Sequence, residues 1–220
     1  MWSSTVIEMI QKGILESLYM TLLSTLFAYV IGLPWGVALV VFNQGGLKPK
    51  NGIYRVLDVL ANIMRSIPFL IMLILLIPVT VFIVGTSIGT TATVVPLTVA
   101  AAPMIARMVE SSVQEVDQGV IEAAQSMGAS NWQIIIHVLL VEARVSLISG
   151  ATICVGTILG YSAMAGIVGG GGLGDIAIRY GYYRYQKDIM IVTVVLLVLL
   201  VQVFQLVGNI TAMKMDKRRR

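Results

Sequence analysis

A single cysteine, Cys154, and a single histidine, His137, occur in the chain. One cysteine excludes an intramolecular disulfide framework and leaves the redox compartment unreadable; set in an apolar run, it is expected to be a buried packing residue. One histidine, without a second ligand or a nucleophile, is expected to sit on a helix as a surface or packing residue rather than as a metal ligand or catalyst. No Gly-Lys dipeptide occurs, so the chain has no Walker A loop and does not hydrolyse ATP through a P-loop by itself. Charge is scarce as well: 12% of the 220 residues are Asp, Glu, Lys or Arg, against roughly 25% in a soluble domain. Neither an enzyme site nor a cofactor site is legible.

What fills the chain instead is apolar. Hydrophobic residues make up 57% of it, and the mean hydropathy is +0.90. Both values point to a membrane protein, whose lipid-facing surface must be apolar too. The net charge of +4 does not signal nucleic acid, because Lys214, Lys217, Arg218, Arg219 and Arg220 crowd the C-terminus just past an apolar segment. Such a cluster is the mark of a cytoplasmic flank. At the other end, Met1-Trp2-Ser3-Ser4 lacks a basic lead, Glu8 and Glu16 flank Lys12, and the apolar run that follows is too long for a cleavable signal.

Apolar runs of about 20 residues, the length that crosses ~30 Å of hydrocarbon, fall at residues 14–42, 56–81, 91–109, 145–167 and 189–210. The first is interrupted at Gly32-Leu33-Pro34-Trp35-Gly36, where proline predicts a kink and the glycines allow a close neighbour. The second carries Arg65-Ser66-Ile67-Pro68 and is expected to bend about one third of the way along. Ala100, Ala101, Ala102 and Pro103 suit the third to packing against helices. An inside C-terminus gives the cytoplasm Lys48, Lys50, Arg55, Arg107, Arg144 and the basic tail, against Lys12, Arg179, Arg184 and Lys187 outside. The expected fold is therefore all-α, a polytopic membrane protein with five transmembrane helices, N-out/C-in. An odd number of spans excludes a simple two-fold repeat, so any symmetry comes from a second copy.

The deep interior offers little chemistry. Arg65 either snorkels to the headgroups or takes part in a pathway. No acid or histidine lies deep in a span, which argues against a proton-coupled carrier. Gly169 to Gly174 fits G-x-G-x-x-G, but no strand precedes it, and the expectation is a flexible extramembrane loop.

One interior stretch, residues 111–142, is neither a span nor a plain loop. Asp117 can cap a helix starting at Gln118, and Gly128 suits the left-handed residue that ends it. Ser130 and Gln133 match a capping box for a second helix. Ala123 and Ala124 give the first helix a small face and Glu122 one charge. Such a helix fits a partner's groove or lies on the membrane; Glu122, Gln125 and Ser126 weaken the membrane alternative.

Glu122-Ala123-Ala124, Gly128, Ile135 and Leu139-Leu140 resemble the EAA loop of binding-protein-dependent ABC importer permeases, with Val141 where that family has a proline. Arg65-Ser66-Ile67-Pro68-Phe69, Val84-Gly85-Thr86-Ser87-Ile88-Gly89, Val95-Pro96-Leu97-Thr98 and Ala101-Ala102-Pro103 extend the resemblance to the methionine-importer permeases. Ile105-Ala106-Arg107-Met108-Val109-Glu110, Gly160-Tyr161-Ser162-Ala163-Met164-Ala165-Gly166, Gly171-Gly172-Leu173-Gly174 and Tyr180-Gly181-Tyr182 do the same. The resemblance implies a permease domain over 14–208, a cytoplasmic coupling segment at 111–142 and a basic tail at 213–220. It also implies a homodimer in the inner-membrane bilayer, two copies of a separate ATPase, and an extracytoplasmic methionine-binding (lipo)protein. Glu122, Ala123, Ala124 and Gly128 would be the ATPase-coupling residues, in a coupling helix over about 117–127. A permease for another small solute and a stand-alone carrier are the alternatives.

Overall fold

The computed structural model describes residues 4–216. The readings of Met1 to Ser3 as the start of an uncleaved N-terminus and of Lys217 to Arg220 as a basic flank lie outside the described residues. Among the described residues the regular structure is helical throughout. α1 (Ser4–Phe42) is followed by three shorter helices, α2 (Asn51–Ser66), α3 (Phe69–Leu75) and α4 (Ile77–Val84). α5 (Thr90–Gln114) leads to α6 (Gln118–Ser126) and α7 (Asn131–Glu142), then α8 (Arg144–Ala165), α9 (Gly172–Ile176) and α10 (Lys187–Met215).

α5 is the centre. In its most apolar stretch 67% of residues are buried inside the protein, against 11% for α10, whose apolar surface must face something outside the chain. α1 carries a buried stripe of small residues, of which Ser24, Gly32 and Gly36 lie against α5 and Gly13 and Ser17 against α9. A side chain at Gly32 would meet the Ala102 carbonyl at 2.7 Å, and one at Gly36 would collide with the Ala106 carbonyl and Val109. The close neighbour expected at these glycines is thus α5, and backbone-to-backbone approach lets dispersion hold two helices where lipid removes any hydrophobic drive. α10 in turn meets α8 at Gly208, directly against the Thr152 side chain.

The prolines behave unequally. α1 continues through Pro34 and α5 through Pro96 and Pro103, whereas at Pro68 the helix ends. Ile67 is extended (φ −82°, ψ 123°), as a residue before proline prefers to be, and α3 leaves at 102° to α2. The single bent span expected at 56–81 is therefore three helices, and α2 is amphipathic, with only Ala61 buried. Among the described residues four helices are long and apolar enough to cross a membrane, or five when the bent α2–α3 pair counts as one span.

The glycine-rich stretch is not the flexible loop that its composition suggests. Gly171 (φ +82°) and Gly172 (φ +78°) turn the chain so that α9 inserts between α1 and α8. The Gly172 N–H donates to the Glu16 carboxylate at 2.8 Å and the Leu173 N–H to Ser17 Oγ at 2.9 Å; Leu173 is fully buried. The Gly89 N–H donates to the Gly169 carbonyl at 3.0 Å. The start of α1, the 85–89 turn and the 169–186 stretch thus gather at one end of the bundle. Asn43 and Gly46 border a cleft with Gln118 and Glu122, and Glu115 and Arg144 border another with Met215, so these segments share the opposite end.

Glu16→Ala strips the acceptor from the buried Gly172 N–H, a loss of about 1–3 kcal/mol. The expected outcome is a lower Tm for the detergent-solubilised protein, with Glu16→Gln, which keeps an acceptor oxygen, between the two.

Candidate functional site

α6 is built from local signals. Asp117 sits in extended backbone before it, and its Oδ1 accepts from the Gly119 N–H at 2.8 Å. At the far end the Gly128 N–H donates to the Gln125 carbonyl (2.9 Å) and the Ala129 N–H to the Ala124 carbonyl (3.1 Å). With Gly128 at φ +80°, this is the paired Schellman closure that a left-handed glycine permits. Ser130 and Gln133 then form the expected capping box: the Ser130 N–H donates to Gln133 Oε1 at 2.8 Å, and the Gln133 N–H to Ser130 Oγ at 3.4 Å.

Past this cap, α7 takes a π-helical course over Ile134–Leu139. It ends at Ala143, from which α8 starts. No proline is needed to break the ladder here, since a π turn shifts the hydrogen-bond register by one residue. Val141 stands in the last turn, exposed.

Ala123 and Ala124 do not share a face, because neighbours on a helix point about 100° apart. Ala124 is buried within the cluster that contains Ile134 and Leu139, with Ile121 packed against it. Ala123 and Glu122 are exposed. Val120 (42% exposed), Met127 (82%) and Trp132 (70%) are exposed as well. The segment is thus pinned by Ala124 and Ile121 to the α5–α7 core and leaves one carboxylate, Glu122, and several apolar side chains exposed. Glu122 also borders a cleft of about 410 Å³ with Gln118, Gln125, Asn43 and Gly46.

A second polar site was not anticipated. Arg107, counted among the cytoplasmic charges, is partly buried on α5. Its guanidinium donates to Glu110 Oε2 (2.7 Å), to the Asp58 carboxylate, to the Asp58 carbonyl (3.2 Å) and to Asn62 Oδ1 (2.9 Å). The Arg107/Glu110 spacing on one helix was a usable signal; the reach to α2 was not. Arg65 is exposed and borders a recess of about 190 Å³ with Met64, Phe69, Met104 and Tyr161. Phe69 of α3 stacks on Tyr161 of α8, ring centroids 4.6 Å apart.

Residues 28–220 match the family of binding-protein-dependent transport system inner membrane components. The probable D-methionine transport system permease protein MetI of Vibrio cholerae serotype O1 is 46% identical over 217 residues, covering 99% of this chain and 96% of that protein. The Escherichia coli K12 D-methionine transport system permease protein MetI is 49% identical over 164 residues, 74% of this chain and 76% of its own. Among solved structures, a chain of the inward-facing MetNI methionine ABC transporter superposes with a TM-score of 0.97 at 46% identity, covering 98% of this chain and 100% of that one. An amino acid ABC transporter crystallised with histidines shares the fold, with a TM-score of 0.77 at 21% identity.

An added Cβ at Gly128 meets nothing within 4 Å, so a substitution there tests backbone conformation alone. Gly128→Val is expected to cost about 1–2 kcal/mol, raising amide exchange across α6 by about 5- to 30-fold. Gly128→Asn, which tolerates the left-handed region, stays near the native rate; equal exchange in both variants counts against the closure.

Proposed function

The chain belongs to the family of binding-protein-dependent transport system inner membrane components, and on that footing we propose that it is the membrane-spanning permease of an ATP-driven methionine importer. The observation that carries this reading is the superposition, over nearly the whole of both chains, on the permease of a methionine ABC transporter at 46% identity. The chain is a transport component, not an enzyme; ATP hydrolysis belongs to a separate subunit. Two copies of the permease join two copies of that ATPase in the cell inner membrane, and an extracytoplasmic methionine-binding protein delivers the amino acid.

Five crossings with the N-terminus outside and the C-terminus inside follow if α2 to α4 make one broken span. Two observations support this. The 43–50 turn lies at the same end as α6 and the C-terminal end of α10, and the 85–89 turn lies at the other end, hydrogen-bonded to Gly169. The chain between these turns therefore traverses the bundle. The end holding α6 is also the one rich in Lys and Arg, as cytoplasmic ends are.

In this frame α6 is the coupling helix. Glu122, Ala123 and the exposed side chains of Val120, Met127 and Trp132 dock in a groove of the ATPase, while Ala124 and Gly128 hold the helix to the permease and close its end. ATP-driven closure of the ATPase pair draws the two α6 helices together and tilts the bundles from inward- to outward-facing. The coupling is reciprocal, so loaded binding protein must alter ATP hydrolysis in turn.

Proteoliposomes holding the full complex and external binding protein are expected to accumulate methionine only with ATP, whereas the permease alone concentrates none under an ion gradient; accumulation there would favour a secondary carrier. For topology, in a Cys154→Ser background, Gln44→Cys should react with an impermeant maleimide only from the cytoplasmic side and Tyr185→Cys only from outside. Labelling of both from one side would refute the five-crossing arrangement.

A further inference from the structure

α2 has little hydrophobic attachment to the rest of the protein. Of its sixteen residues only Ala61 is buried, and the Trp35 Nε1–H donates to the Leu57 carbonyl at 3.3 Å. What grips it beyond this is Arg107, whose Nη2 reaches the Asp58 carboxylate, the Asp58 carbonyl and Asn62 Oδ1, while Nη1 holds Glu110 on its own helix. Side-chain exposures are 18% for Arg107, 28% for Asp58 and 8% for Glu110. A partly buried cation facing two carboxylates contributes little net stability, because desolvation offsets the attraction. Ion pairs of this kind are best attested as devices that set register.

Its position gives the pair something to do. Arg107 lies about 10 Å from the end of α5, at 1.5 Å per residue, and α5 runs through Gln114 to Asp117, the cap of α6. On the other side, α2 runs to Ser66 and the 102° elbow at Pro68. Beyond the elbow, Phe69 stacks on Tyr161 at the recess that Arg65 borders. The clamp therefore joins the helix that continues into α6 to the helix that ends at the elbow.

We propose that Arg107 is a positioning residue for transport: its guanidinium makes α2 follow α5, so that displacement of α6 by the ATPase reaches the Pro68 elbow and the recess behind it. The fork matters as much as the charge. A guanidinium bridges three acceptors from two residues of α2 and one on α5 at fixed angles, which an ammonium cannot. The side of the clamp toward Asn62 is open to solvent, so that arm can be altered without opening the packing around Ala61. This inference rests on the reading of α6 as the ATPase-docking helix.

The test uses the complete complex, permease with ATPase and binding protein, in liposomes, and reads methionine imported per ATP hydrolysed. Arg107→Gln is expected to lower that ratio by about tenfold, as a coupling loss of 1–2 kcal/mol does, with ATP hydrolysis within about twofold of wild type. Arg107→Lys, which keeps the charge but not the fork, falls between. Asn62→Ala removes one arm at an exposed side chain without stranding a buried charge; it is expected to lower the ratio about two- to fivefold at an unchanged Tm, and it decides the matter if Arg107→Gln does not assemble. An unchanged ratio in Asn62→Ala and Arg107→Lys, or import and hydrolysis falling in parallel, overturns the proposal. Failure of the wild-type complex to import methionine overturns instead the reading of the chain as a methionine permease.

Discussion

The contact on which the rest depends is the approach of α1 to α5 at Gly32 and Gly36. No side chain fits between these glycines and the backbone of α5, where the Ala102 and Ala106 carbonyls lie. In a bilayer, apolar side chains gain nothing by leaving lipid, so helices associate through dispersion at short range and a few polar contacts. Small residues at four-residue spacing bring the backbones close and set α5 in the middle of the bundle. α8 then lies on another side of α5, with Gly150 against Met108, and α10 closes on α8 at Gly208.

The central α5 runs on past its packed stretch. It continues to Gln114 and hands the chain to α6, whose Ala124 returns to the core formed by Ile134, Leu139 and Val113. Movement of α6 is therefore movement against a packed core rather than of a loose loop. The two ends of the bundle differ in how they are tied. At one, Glu16 and Ser17 take up the N–H groups of Gly172 and Leu173 and lock the glycine-rich wedge. At the other, Arg107 holds α2 by side-chain hydrogen bonds with one side open. One end is thus tied through backbone N–H groups into a packed wedge, the other by side-chain hydrogen bonds.

What could be seen in advance follows the range of each interaction. Asp117, Gly128, Ser130 and Gln133 act on partners two or three residues away, so their spacing alone announces two capped helices and the turn between them. Long apolar runs likewise declare themselves. The break at Pro68 was half visible: proline and its extended predecessor end a helix locally, but the 102° departure depends on where α5 and α8 receive α3. Pro34, with the same chemistry, leaves α1 continuous, because close packing of α1 on α5 through Gly32 and Gly36 outweighs one lost hydrogen bond.

The sequence by itself determined the membrane character, the four long apolar helices, the caps of α6 and the lack of a Walker A loop, since composition and short-range spacing decide each of these. Only the tertiary structure decided that Gly169 to Gly174 is a packed wedge, because its acceptors Glu16 and Ser17 lie 156 residues away along the chain. It alone turned Ala124 inward and left Ala123 outside, and it alone brought Arg107, counted only as one of the cytoplasmic charges, against Asp58 and Asn62 of α2. In each case the deciding partner is remote in sequence, and only the fold brings it within hydrogen-bonding or van der Waals reach.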